Sequence, residues 1–236
     1  LYRHASTLPH LVIKGIDCHI GSQLLDPGPA AEAAQKIFSL ADTLAAEGMP
    51  LQHIDLGGGM GIRYRNEKAP SVDEYLGPIL ALMKGRKETL LIEPGRSLVG
   101  NAGVLLSRVE VIKHGEEKNF AVIDVAMNDL MRPALYDAWH DILPLKQANA
   151  GATEQAYEIV GPVCESGDFI GHGRRLSLQE GDLLAIMSTG AYGMAMSSNY
   201  NSRPRAAEVM VDRDQAHLIR QREDIAQLYA LESTLP

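Results

Sequence analysis

Apolar positions along the chain follow two rhythms, and the change comes shortly after Glu93. Before it, short apolar runs alternate with helical patterns: a strand over residues 11–20, a helix over 30–47, a strand over 51–56, a helix over 72–83 and a strand over 89–92. Such alternation predicts βα units around a parallel sheet. After it come strand-like segments at 104–113, 120–125, 156–163, 182–187, 206–211 and 217–220, with only short helical pieces between them. This second part predicts a mainly antiparallel β domain, so the expected division is 1–100 and 101–236. Residues 147–155 are small and polar and predict an exposed loop. Consecutive βα units fit a doubly wound sheet or part of a (β/α)8 barrel equally well, and periodicity does not choose between them.

Composition narrows the field of partners. With 45% hydrophobic and 22% charged residues, the 236-residue chain can build a sizeable core. A formal net charge of -8 lacks the basic stripe that nucleic acid requires, and no apolar run approaches the roughly 20 residues of a membrane span. Neither is expected as a partner. Cys18 and Cys164 lie far apart, without the spacing of a zinc site or a disulfide framework, which predicts a reducing, cytoplasmic setting and no metal. The chain opens Leu1-Tyr2-Arg3-His4, with neither an initiator methionine nor a signal peptide, and reads as a fragment entered in mid-helix.

The unusual residues sit where the first three strands end. The clusters are Asp17-Cys18-His19-Ile20-Gly21-Ser22-Gln23, Asp55-Leu56-Gly57-Gly58-Gly59-Met60-Gly61 and Glu93-Pro94-Gly95-Arg96-Ser97. Parallel α/β folds hold ligands at that end of the sheet. Gly57, Gly58 and Gly59 either make a tight strand-to-helix turn or expose successive N–H groups as an anion cradle, and they lack the spacing of a dinucleotide fingerprint. Glu93, ending an apolar strand, is expected to face poor hydration and to need a cation such as a protonated pyridine nitrogen; otherwise it caps a loop. His19, on the strand face of Gly15 and Asp17, either stacks on a flat ring or fills the core, and Ser22 can offer a hydroxyl to a phosphate.

Further candidates lie in the second part. Cys164 stands beside Glu165 and Asp168, an electronegative setting that favours a neutral thiol, either a proton donor or a small buried hydrophobe. Gly190-Ala191-Tyr192-Gly193 is expected to open a helical piece and to offer its backbone and the Tyr192 hydroxyl to an anion. Arg132 and Tyr136, spaced by four, would share a helical face and bind a carboxylate, unless both are solvated surface.

Taken in order from Leu11 to Tyr200, these stretches resemble the fold-type III pyridoxal-phosphate decarboxylases, in their C-terminal part. The wording is similar to the branch that removes carbon dioxide from one end of a diamino dicarboxylic acid and so makes lysine. Related branches that act on ornithine, arginine or a carboxylated polyamine, and non-catalytic cofactor-binding homologues, are the alternatives. The resemblance implies α/β plus all-β architecture: the C-terminal part of a (β/α)8 barrel, then a β domain that completes the active site across a homodimer. It implies pyridoxal phosphate as cofactor, with His19 stacked on its ring, Ser22, Gly57, Gly58, Gly59 and Gly95 on its phosphate, and Glu93 on its ring nitrogen. Arg96, Arg132 and Tyr136 would bind substrate carboxylate, Glu165 the distal amino group, and Tyr192 would lie against cofactor and substrate. Cys164 would donate the proton that replaces carbon dioxide. The family's Schiff-base lysine lies upstream of the stretch that holds His19; Lys14 sits on the opposite strand face and is rejected as a substitute, so this chain alone is expected to be inactive.

Overall fold

The computed structural model describes residues 1–146 and 153–235. They fall into two compact units, Leu1–Gly100 and Asn101–Pro236. The fold class is α/β followed by all-β.

In the first unit, a short helix α1 (Tyr2–Ala5) precedes β1 (Gly15–Asp17), α2 (Gly28–Ala46), β2 (His53–Asp55), α3 (Val72–Met83), β3 (Thr89–Leu91) and α4 (Gly95–Val99). The three strands are parallel, in the order β1-β2-β3. Helix α2 starts at a proline turn and ends in a Schellman motif, in which the Gly48 N–H donates to the Ala45 carbonyl and the Met49 N–H to that of Leu44. Gly48 has φ +83°, which a side chain would resist. Helix α3 starts at a capping box between Ser71 and Glu74. Ala34, Phe38 and Ala41 of α2 and Tyr75 and Ile79 of α3 pack with Ile16 and Ile54 of the sheet. Full burial of Ile54 and Ile79 contributes about 1.5–3 kcal/mol each.

The strand expected over 11–20 is only Gly15–Asp17, because residues 11–14 and 18–20 make no ladder of their own. The second strand is likewise trimmed to 53–55 and the third loses only residue 92, while the helix over 72–83 matches throughout.

The second unit contains β4 (Leu105–His114), β5 (Asn119–Ile123), α5 (Arg132–Tyr136), β6 (Ile142–Pro144), β7 (Gln155–Val160), β8 (Phe169–Leu176), β9 (Leu183–Ile186), β10 (Glu208–Asp212), β11 (Gln215–Arg220) and α6 (Ile225–Leu228). Six strands form one sheet in the order β6-β9-β4-β5-β7-β8, and β10 and β11 form a separate hairpin. All neighbouring pairs are antiparallel except β5 and β7, which run parallel. Val109, Ile123, Leu130, Ile159, Ile170, Leu184 and Ile186 form the core.

Two strands escape the sequence pattern. β6 is three residues long. β8 reads Phe-Ile-Gly-His-Gly-Arg-Arg-Leu; its glycines and a register shift spoil the alternation, and an arginine, Arg174, occupies a buried position in it. Of the loop expected over 147–155, residues 147–152 lie outside those described, and Gln155 already belongs to β7.

Candidate active site

Residues Gly15, His53 and Thr89 are in register, as are Asp17, Asp55 and Leu91, so the three strands of the first unit end level. Hydrogen bonds continue past those ends: Cys18 N–H to the Asp55 carbonyl at 3.1 Å, Leu56 N–H to that of Leu91 at 3.1 Å, and Glu93 N–H to that of Gly57 at 2.7 Å. The three residue clusters are thereby bound into one surface. Lys14 lies at the other end of β1.

His19 falls beyond the end of β1, so the alternation expected with Asp17 does not apply to it. Its imidazole instead lies against the glycine turn. A Cβ on Gly57 would come within 2.8 Å of His19 Nδ1, and the Gly58 N–H points at the same nitrogen at 3.4 Å. The burial of nearby Cys18, followed by the negative charges of Asp17 and Asp55, pushes its thiol above the usual range, so it is held neutral.

The glycine run is a turn as well as a cradle. Gly57 and Gly59 have φ of +66° and +102°, and a Cβ on Gly58 would strike the Glu93 carbonyl oxygen. The three N–H groups are not equivalent. That of Gly57 is committed to the Asp55 carboxylate at 2.8 Å, whereas that of Gly58 makes, among the described residues, only the long contact with His19. The conformation fits a phosphate held by a backbone that side chains would block.

Glu93 is exposed, contrary to the expected poor hydration, because β3 ends at Leu91 and the residue belongs to the loop. Its carbonyl accepts from the Gly95 N–H at 2.8 Å, which turns the chain into α4 and places Arg96 on its first turn. Arg96 Nη2 donates to Ser22 Oγ at 2.8 Å and Nη1 to the Tyr64 hydroxyl at 2.6 Å. Two residues expected separately, Ser22 and Arg96, thus meet. The loop carrying Ser22 is fixed by Gln23, whose side chain makes two hydrogen bonds with the backbone of Ile62.

In the second unit Arg132 and Tyr136 both lie on α5, but they do not share an environment: Arg132 is 8% exposed and Tyr136 63%. The helix has five residues, and Asp137 ends it in the left-handed conformation. Arg132 is therefore no solvated residue. Its Nη1 lies 2.8 Å from Nε2 of His140, itself fully buried.

Cys164 and Glu165 are exposed in the loop after β7. Asp168, expected to add negative charge beside the thiol, is a buried brace: its carboxylate accepts from the N–H groups of Met127 at 2.7 Å and Val163 at 2.9 Å. Burial, which outweighs those two hydrogen bonds, pushes its carboxyl above the usual range. Glu165 accepts from the Tyr200 hydroxyl at 3.3 Å. Tyr192, with φ +60°, precedes a 3-10 helix, Met194–Met196, whose N-cap is Gly193, so the helical piece expected here is one short turn.

Sequence reasoning missed Tyr64, His140 and Tyr200 as partners of candidate residues. Only Tyr64 carried a signal, three residues past the glycine cluster. His140 and Tyr200 are brought to their partners by tertiary packing.

Residues 11–190 match the family model described as pyridoxal-dependent decarboxylase, C-terminal sheet domain. A diaminopimelate decarboxylase of Vibrio cholerae is 55% identical over 237 aligned positions, which cover 100% of this chain and 56% of that protein. One from Pseudomonas aeruginosa is 52% identical, over 100% of this chain and 56% of its own length. The crystal structure of a diaminopimelate decarboxylase from M. jannaschii in complex with L-lysine superposes with a TM-score of 0.94 at 38% identity, over 100% of this chain and 55% of that one. The chain thus spans little more than half the length of these relatives, and on the match over residues 11–190 it belongs to the pyridoxal-dependent decarboxylase family.

Proposed function

We propose that the chain is the C-terminal part of a pyridoxal-phosphate enzyme that decarboxylates meso-diaminopimelate to L-lysine. The observation that carries the reading is the convergence of His19, Ser22, Gly57, Gly58, Gly59, Glu93, Gly95 and Arg96 on loops from the level ends of parallel strands. The likeness to diaminopimelate decarboxylases supports the choice of substrate.

Pyridoxal phosphate, when bound, supplies an electron sink for the bond that breaks. The residues here do the rest. The turn of Gly57, Gly58 and Gly59 together with Gly95 would cradle its phosphate, with the Gly58 N–H as donor because those of Gly57 and Gly95 are given to the Asp55 carboxylate and the Glu93 carbonyl, and Ser22 would add a hydroxyl. His19 would pack its imidazole on the ring, and the Glu93 carboxylate would pair with the ring nitrogen. Arg96 binds a carboxylate oxygen, while its second nitrogen is pinned by Tyr64. Arg132 and Tyr136 take the distal carboxylate, Glu165 the distal ammonium, and Tyr192 closes over both ligands. Cys164 delivers the proton from its thiol to the carbon that has lost carbon dioxide. We place the enzyme in the cytoplasm as a homodimer, consistent with two free cysteines; no helix of the described residues is long and apolar enough to cross a membrane.

Decarboxylation of ornithine or lysine is disfavoured because those substrates carry no distal carboxylate for Arg132, a buried cation, to meet. The test is Arg132→Ala in a full-length enzyme carrying this sequence, assayed with diaminopimelate and lysine while cofactor content is followed by absorbance. The reading expects normal cofactor content, an about tenfold to hundredfold loss in kcat/KM for diaminopimelate and a much smaller change for lysine. Equal losses would mean that Arg132 serves structure or cofactor.

A further inference from the structure

We infer that His140 is a positioning residue for substrate recognition: a buried imidazole, locked neutral in one tautomer, that aims the Arg132 guanidinium at a carboxylate. The inference rests on the proposed role of Arg132.

The lock follows from the chemistry of the two neighbours. His140 Nδ1 lies 2.8 Å from the Met187 carbonyl oxygen, which can only accept, so Nδ1 carries the proton. Nε2 lies 2.8 Å from Arg132 Nη1, and a guanidinium can only donate, so Nε2 presents its lone pair. An imidazolium would set N–H against N–H and add a cation at a site where His140 is fully buried. A neutral acceptor orients Arg132 without neutralising it.

Both ends of the lock are anchored. The Met187 N–H donates to the Asp141 carbonyl at 2.8 Å, one residue beyond the pairing of β6 with β9, so the acceptor for Nδ1 is fixed at the end of that ladder. The His140 carbonyl accepts from Arg174 Nη2 at 2.9 Å, and the Arg174 guanidinium lies 3.1 Å from the centre of the Trp139 ring. The imidazole is thereby held from the backbone on one side and through its ring on the other. Side chain and backbone entropy are lost on folding rather than on binding, which is what pre-organisation for a carboxylate requires.

Removal of one carboxylate from diaminopimelate leaves L-lysine with the other, so lysine and cadaverine differ at the group Arg132 would hold. Dissociation constants for both, on cofactor-loaded full-length enzyme, read the carboxylate contact alone. For His140→Leu the lysine constant should rise about tenfold with that of cadaverine unchanged, and His140→Gln, whose amide oxygen can accept from the guanidinium, should recover most of the loss. A structural role would weaken both ligands equally and overturn the inference. Arg132→Ala separates the two levels: if it leaves the preference for lysine intact, the role of Arg132 itself is wrong; if it abolishes the preference while His140→Leu does not, only the role of His140 is. Should His140→Leu fail to fold, nitrogen NMR of the unsubstituted enzyme decides. A single neutral tautomer protonated at Nδ1 is required, and an imidazolium or an Nε2-protonated ring would overturn it.

Discussion

Arg96 Nη1 meets the hydroxyl of Tyr64 at 2.6 Å, and the guanidinium carbon lies 5.7 Å from the centre of the same ring. Tyr64 is 6% exposed, so the contact is sheltered from water and sets the direction in which the rest of the guanidinium points. The other end of the fork holds Ser22, a residue 74 positions away in sequence.

Tyr64→Phe removes the hydroxyl and keeps the ring. A charge-assisted hydrogen bond in such a place contributes about 1.5–3 kcal/mol, so affinity for cofactor or substrate should fall about tenfold to hundredfold with little change in melting temperature. Titration of the full-length enzyme with pyridoxal phosphate, followed by steady-state kinetics, assigns the loss to one ligand or the other. Unchanged constants for both would remove Arg96 from the site.

Gly58→Ala places a methyl group against the Glu93 carbonyl oxygen. The turn must open to admit it, which separates the loop bearing Glu93 from the one bearing the glycines. Cofactor content, measured by absorbance after dialysis, should drop about tenfold or more, in a protein that remains folded by circular dichroism. Full retention of cofactor would show that the glycine run serves the turn only.

Cys164 and Glu93 belong to different units of the chain. If each active site draws on both chains of a homodimer, inactive Cys164→Ala and Glu93→Ala full-length enzymes should complement on mixing. Random pairing makes half of the dimers hybrids, each with one intact site, so about a quarter of the normal activity should return. No recovery, with hybrids present on native mass spectrometry, would place both residues of a site in one chain.

Asp168 gives a signature of pH. Burial raises its carboxyl in the folded state, so as pH increases the unfolded chain loses this proton first. Between the two values the folded form binds more proton, and stability falls as pH rises through that window. Urea unfolding of full-length enzyme across the acidic range should show this decline, and Asp168→Asn should lack it. The variant should also be less stable by about 1–3 kcal/mol, since the amide cannot accept from both Met127 and Val163 N–H as the carboxylate does. A variant with the wild-type slope would mean that another group produces it.

The sequence alone determined what depends on short-range pattern. Helix α3 is legible to the residue because Ser71 and Glu74 form its capping box and Tyr75 and Ile79 mark its buried side. The βα rhythm and the later strands are legible because side chains alternate on a strand and recur every three or four residues on a helix. The candidate residues were legible as clusters at strand ends, since glycine, histidine and acid are costly there without a purpose. What the pattern could not supply is direction. His19 lies off the strand and touches Gly57 because β1 stops at Asp17, where its ladder with β2 stops. Arg132 is buried and Tyr136 exposed, although their spacing suggested a common face, because Arg132 opens the helix and reaches buried His140 while Tyr136 is its last residue, where the chain turns at Asp137. His140 and the bracing role of Asp168 were decided by tertiary structure alone, as was the partner of Tyr64. Each depends on hydrogen bonds to groups 5 to 47 residues away, and such partners leave no periodic trace in the chain.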